Sequence, residues 1–443
     1  MTNRRDFLGL SGSLLLSACA TTPSMTDTPP IVFVHGNGDT AALWQTTIWR
    51  FESNGWPRER LHAIDLPYPL ARDDDGRPQP GRTSSAEHMA FLKSEVEKVL
   101  QATGARQVVL VANSRGGYAV RNYIQNGGGD RTVSHAILGG VPNHGVWHEM
   151  AGMNAGSEFA GAGPFLRALN APKNANGDEV TGPVKWLTIR SDGNDKYAQP
   201  DGLWIGKRGV PTGVTFAGPE LKGATNVVIP RVDHRETSFS PAAFEATWRF
   251  ITGQPPRTLA IVPEERIVLS GKVGDQNLPL PGARLDIFAT DPASGERRGG
   301  AVHAQVIGAD GRWGPFQAQP GMPYEFVITA PGYATTHVYR SAFPRSSNVI
   351  HMRPQRIAEA DRSAPSLVIL DRPRGYFDPG RDRMAFDGQT PPPGALPGAG
   401  VSSSRIRPAG PSRAVVGEFN GERVVGRSWP LAEGHVAVLE LTY

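Results

Sequence analysis

The chain reads as an α/β protein, a mostly parallel sheet covered by helices and followed by an all-β region. Three observations predict this. Strand-like apolar runs and helical patterns alternate from residue 31 to 253, as in a parallel sheet covered on both faces. The run Gly253-Gln254-Pro255-Pro256 then breaks the pattern. Beyond it the runs are short and partly alternating, with turns at Asp310-Gly311 and Pro331-Gly332, and no helical pattern returns.

Each element has a local reason. Ile31–Val34 and Leu61–Asp65 are apolar strands. Residues 85–103 predict a helix: Ser84 and Glu87 fit a capping box, Met89, Leu92, Val96 and Val99 form the apolar stripe, and Gly104 stops it. Gln107–Ala112, Ser134–Gly139, Val184–Ile189 and Asn226–Pro230 supply four more strands. A last helix opens at Ser240-Pro241, buries Phe244, Trp248 and Ile251, and ends at Gly253. In the β region, Arg266–Leu269, Ala283–Phe288, Tyr324–Ile328 and Thr335–Tyr339 come first, then Ala414–Phe419 and Val436–Leu441 after a Pro/Gly-rich stretch from Asp387 to Gly400.

A length of 443 residues exceeds one ordinary core. The expected division is 1–19 targeting segment, 20–30 tether, 31–253 catalytic domain, 257–355 β-sandwich-like domain and 356–443 second β region. A hydrophobic share of 39% and a charged share of 20% fit a soluble globular chain and exclude a disordered or largely membrane-embedded one. Net charge is only +4, with Lys and Arg scattered, so no nucleic-acid partner is expected. No metal-ligand spacing or phosphate-cradling loop is present, so no metal and no cofactor are expected. Oligomeric state is not legible.

The single cysteine, Cys19, forbids an intramolecular disulfide. Asn3-Arg4-Arg5-Asp6-Phe7-Leu8 matches the twin-arginine export pattern, and the apolar stretch Leu8–Ala18 is too short to span a bilayer. Leu16-Ser17-Ala18-Cys19 resembles a bacterial lipobox, in which the cysteine is acylated. Export followed by membrane anchoring through a lipid on Cys19, facing the periplasm or the cell surface, is the expectation.

The sharpest chemical signal is Val109-Leu110-Val111-Ala112-Asn113-Ser114-Arg115-Gly116-Gly117-Tyr118. An apolar strand runs into Ala-x-Ser-x-Gly-Gly and a helix follows, which is the context of a nucleophile elbow. His234 lies between the last core strand and the last helix, where a base for Ser114 belongs in the order Ser, Asp, His. The carboxylate that orients it comes from the loop after the penultimate strand, where Asp192 and Asp195 are both candidates. Val34-His35-Gly36-Asn37 has the pattern of an oxyanion loop, so the backbone N–H groups of Asn37 and Arg115 are the expected oxyanion donors.

These motifs, with Gly140-Val141-Pro142-Asn143-His144-Gly145, resemble the class 2 bacterial lipases, whose fold is an α/β-hydrolase core. The resemblance implies a serine carboxylic-ester hydrolase acting on lipid or other acyl esters. Their acid loop ends in Gln-Pro, and pairing that end with Gln199-Pro200 puts Asp195 on the catalytic aspartate. Phe250–Gly253, Ile261–Pro263 and Tyr324–Ile328 are similar to archaeal two-domain lipases that carry a C-terminal β-barrel. Two departures stand out. Arg115 places a cation where an apolar acyl chain would enter, and Leu70–Thr83, with Asp73-Asp74-Asp75, is polar where a lid would be apolar. Trp147, Met150, Met153, Phe159, Phe165 and Leu166 are the alternative source of an apolar cap. The β region is expected to carry no catalytic group, to engage substrate, and to be dispensable for short soluble esters. The rival function is a non-catalytic envelope lipoprotein that keeps the hydrolase-like core for binding.

Overall fold

A computed structural model describes residues 28–150, 152–410 and 412–443. The twin-arginine motif and Cys19 lie outside the described residues. Six parallel strands form the first sheet, β1 (Ile31–Val34), β2 (Leu61–Ile64), β3 (Val108–Asn113), β4 (Val133–Gly139), β5 (Lys185–Ser191) and β6 (Thr225–Ile229). Their order is β2-β1-β3-β4-β5-β6. The chain reverses its winding direction between β1 and β3, and such switch points open a crevice at the carboxyl ends of the strands.

Among the described residues six α-helices accompany the sheet: α1 (Gln45–Ser53), α2 (Ser85–Thr103), α3 (Arg115–Asn126), α4 (Pro164–Leu169), α5 (Glu236–Phe239) and α6 (Pro241–Thr252). The capping box of α2 forms as predicted. The Ser84 hydroxyl accepts from the Glu87 N–H, and the Glu87 carboxylate accepts from the Ser84 N–H. One layer of side chains buries Val32, Leu110, Leu138 and Val96, and the other buries Phe33, Val111, Ile137 and Phe244. Helix α1 has no counterpart in the sequence reading. It is short, buried continuously from Gln45 to Phe51 and opened by Trp44 with no side-chain cap, so no start signal marks it.

The all-β region is confirmed, and its two expected parts share one sheet. His435–Glu440 pairs in parallel with Thr335–Arg340 on one side and Val368–Asp371 on the other. Strands from before and after residue 356 therefore belong to a single seven-stranded layer. The region also interlocks with the catalytic domain. Trp49 of α1 lies in the core of the β region, where its indole N–H donates to the Ser346 carbonyl at 2.8 Å. The β region is thus not an appended module that the catalytic domain can shed without exposing Trp49.

Candidate active site

Strand β3 delivers Ser114 to the crevice. Its backbone holds φ 51° and ψ −126°, a sparsely populated conformation for a side-chain-bearing residue that must be held by its surroundings. The surroundings are tight. A Cβ on Gly116 would fall 2.6 Å from the Val34 carbonyl oxygen, and one on Gly36 would fall 2.9 Å from Cβ of Ser114. The Ser114 N–H donates to the Gly139 carbonyl at 3.0 Å. The Asn113 amide donates to the Ser238 hydroxyl at 2.8 Å and to the His234 carbonyl at 3.3 Å. The residue before the serine therefore joins the elbow to the loop that carries the histidine.

His234 follows β6 and precedes α5. Its Nδ1–H donates to both carboxylate oxygens of Asp195, each at 2.9 Å. Nε2 is buried and has no hydrogen-bond partner among the described residues. Asp192 is turned to other work, accepting from the Arg231 N–H at 3.0 Å. Of the two carboxylates left open by the loop, Asp195 is the one brought to His234. The N–H of Asn37 and that of Arg115, the first residue of α3, donate to no acceptor among the described residues. His35 is structural, with Nδ1–H donating to the Gly36 carbonyl and Nε2 accepting from the Leu66 N–H.

Ser114 and His234 line one cavity of about 190 Å³, together with Gly36, Asn37, Asp39, Val146, Trp147, Phe159, Tyr197, Ile205, Arg235 and Tyr376. Its walls are mostly apolar and aromatic. Trp147 and Phe159 are the parts of the expected cap that reach the cavity. Met150 and Met153 pack behind them, and Phe165 and Leu166 pack on Tyr118 instead. Asp39, Val146, Ile205 and Tyr376 escaped the sequence reading. Ile205 comes from the loop after β5, and Tyr376 comes from the β region.

The guanidinium of Arg115 does not stand at the mouth. It is fully buried and paired with Glu158, Nε donating to Oε1 at 2.5 Å and Nη2 to Oε2 at 3.1 Å. It also donates to the Pro69 carbonyl, and to the Thr83 hydroxyl and carbonyl. Burial pushes the Glu158 carboxyl above its ordinary range, with Arg115 opposing. Arg115 therefore fastens the Pro69–Thr83 loop and the Glu158 loop to the elbow.

The loop of His234 is itself fastened by the β region. Asp233 is fully buried and accepts from Arg372 Nη1 at 2.9 Å and from the Tyr376 N–H at 2.7 Å. Glu236 accepts from Arg372 Nη2 and Arg381 Nη1, each at 2.5 Å. Arg235 pairs with Asp39 at 3.0 Å. Among the described residues no cluster of three or more His, Cys, Asp or Glu is placed to hold a metal.

Comparison with known proteins finds two family matches. The Lipase (class 2) model matches residues 28–177, and the Lipase C-terminal domain model matches residues 265–357. Among solved structures, the propeptide form of lipase BlEst2 from Bacillus licheniformis is 20% identical, covers 62% of this chain and 60% of its own, and has a TM-score of 0.38. The mature form of that lipase is 21% identical over 52% of this chain and 92% of its own, at 0.34. Phospholipase PlaB from Legionella pneumophila is 14% identical over 75% of this chain and 96% of its own, at 0.35.

Proposed function

We propose that this chain, which matches the class 2 lipase model over residues 28–177 and the lipase C-terminal domain model over residues 265–357, is a lipase-type hydrolase that cleaves carboxylic esters through an acyl enzyme on Ser114. The observation that carries the reading is the pairing of His234 Nδ1–H with Asp195, which leaves Nε2 unpartnered in the cavity that Ser114 lines. Ser114 Oγ attacks the ester carbonyl carbon while His234 Nε2 takes its proton. Asp195 holds the imidazole and stabilises the imidazolium. The carbonyl oxygen, now negative, faces the N–H groups of Asn37 and Arg115, and each such donor is worth about 3 kcal/mol in the transition state. The C–O bond breaks and His234 returns the proton to the departing alcohol. Water, with His234 again as base, then releases the acid.

A fluorophosphonate probe should label the wild-type chain and not Ser114→Ala. The variant should lose p-nitrophenyl acetate turnover while its melting temperature moves little, because the hydroxyl contributes little packing. Labelling that survives Ser114→Ala refutes the assignment, and an unlabelled wild type favours the rival binding role.

The N-terminal pattern supports export by the twin-arginine route and anchoring through a lipid on Cys19. Replacing both Arg4 and Arg5 by Lys should retain the precursor inside the cell, and Cys19→Ser should abolish incorporation of labelled fatty acid. A Cys19→Ser chain that still carries the label sinks the lipid anchor.

A further inference from the structure

The segment beyond residue 357 lies outside both family matches, yet it supplies one wall of the cavity. That wall is Tyr376, which is only 5% exposed. Its N–H donates to the buried Asp233, the residue before His234. Its carbonyl accepts from Arg372 at 2.6 Å. Its ring is covered by two cations, Lys196 Nζ at 4.2 Å and the Arg235 guanidinium at 4.9 Å from the ring centroid. Lys196 is pinned in turn, donating to the Gly400 carbonyl at 3.0 Å. Moving the ring aside would uncover both cations, while the backbone beneath it stays tied to Asp233 through the N–H. The wall is rigid.

The loop that brings Ile205 to the cavity is anchored on the same segment. The indole of Trp204 lies directly against Gly400, where a Cβ would fall 1.7 Å from the ring. Ile205 and Tyr376, two walls of the cavity, are thus held by one and the same segment.

Size then limits what enters. An apolar cavity of about 150 Å³ takes roughly one benzene ring, and this one measures about 190 Å³. Trp147, Phe159, Tyr197 and Tyr376 offer faces and edges to a flat ring. On the side of the β region the cavity ends at the Tyr376 ring, which an acyl chain entering there would meet. We propose that Tyr376 confines this hydrolase to esters of short-chain and aromatic acids and excludes long acyl chains, a reading that rests on the acyl enzyme at Ser114.

The test is a p-nitrophenyl ester series from acetate to laurate, with the benzoate, on the full chain. Wild type should turn over butyrate and benzoate with kcat/KM at least about tenfold above octanoate, the scale on which pocket fit discriminates acyl groups. Tyr376→Ala should move the optimum to longer chains, raising the octanoate-to-butyrate ratio by about tenfold. Fluorophosphonate labelling and thermal melting of each variant separate a reshaped pocket from a damaged one. If Tyr376→Ala does not fold, Tyr376→Leu keeps apolar cover over Lys196 while removing the ring, and the same ratio is read. A wild type that prefers laurate, or variant profiles parallel to wild type, overturns the proposal while leaving the acyl enzyme standing. A wild type that is neither labelled nor active on any ester overturns both.

Discussion

Asp195→Asn should lower kcat for a short ester by about 10⁴-fold, whereas Asp192→Asn should leave it within a few fold. The difference follows from what each carboxylate touches. Both oxygens of Asp195 accept from Nδ1 of His234 at 2.9 Å, while Asp192 accepts from the backbone of Arg231. An asparagine at 195 can present its amide N–H₂ to Nδ1, which favours the tautomer with the proton on Nε2. That nitrogen then cannot accept the serine proton. It also removes the negative charge that stabilises the imidazolium. Steady-state kinetics on p-nitrophenyl butyrate, with melting temperatures as a control, reads the outcome. A large loss in Asp192→Asn with none in Asp195→Asn would reverse the assignment.

Arg372→Met should cost about 3–5 kcal/mol of stability, because removing one partner of a buried ion pair strands the other. Asp233 is fully buried and Arg372 is 2% exposed. Glu236, whose carboxyl burial and Asp233 already push up, would lose Arg372 as well. The damage lands on the residue next to His234, and small misplacement of a catalytic group costs about 10²-fold in rate. The variant should therefore melt lower and lose kcat together. Adding Asp233→Asn should recover part of the stability, since a neutral amide no longer needs the guanidinium. Truncation after Pro256 should be harsher still, removing Arg372, Arg381 and Tyr376 and exposing Trp49. An Arg372→Met chain with wild-type melting and kcat would show that the clamp contributes nothing.

The parts of this molecule that were legible are those dictated over short stretches of chain. The apolar run into Ser114, the glycines that follow it and the loop position of His234 each follow from local sterics and the order of elements. Asp195 needed the Gln199-Pro200 pairing, because two carboxylates three residues apart in a Gly-containing loop look alike until the loop is folded. What stayed hidden was long-range. Helix α1 is nine residues long and opens at Trp44 with no side-chain cap, so neither a start signal nor a long stripe announced it, and its partner Ser346 is 297 residues away. Arg115 read as a cation at the mouth because its partner Glu158 is 43 residues away. Tyr376 is 142 residues from His234, and no local pattern connects them.

The strand His435–Glu440 has a consequence for the order in which the protein comes into being. It is the central plank between Thr335–Arg340 and Val368–Asp371, running parallel to both. Thr335 is paired with a residue 100 positions further along the sequence, and such distant parallel pairings must close a long loop before any contact rewards it. The plank cannot be laid until residue 440 is available, and until then the strand that leads into Arg372 has no neighbour on that side. During synthesis the serine elbow can form early, since its partners all precede residue 240. The clamp on the histidine loop comes last, so a nascent chain would hold its proposed nucleophile long before the loop of His234 is fastened.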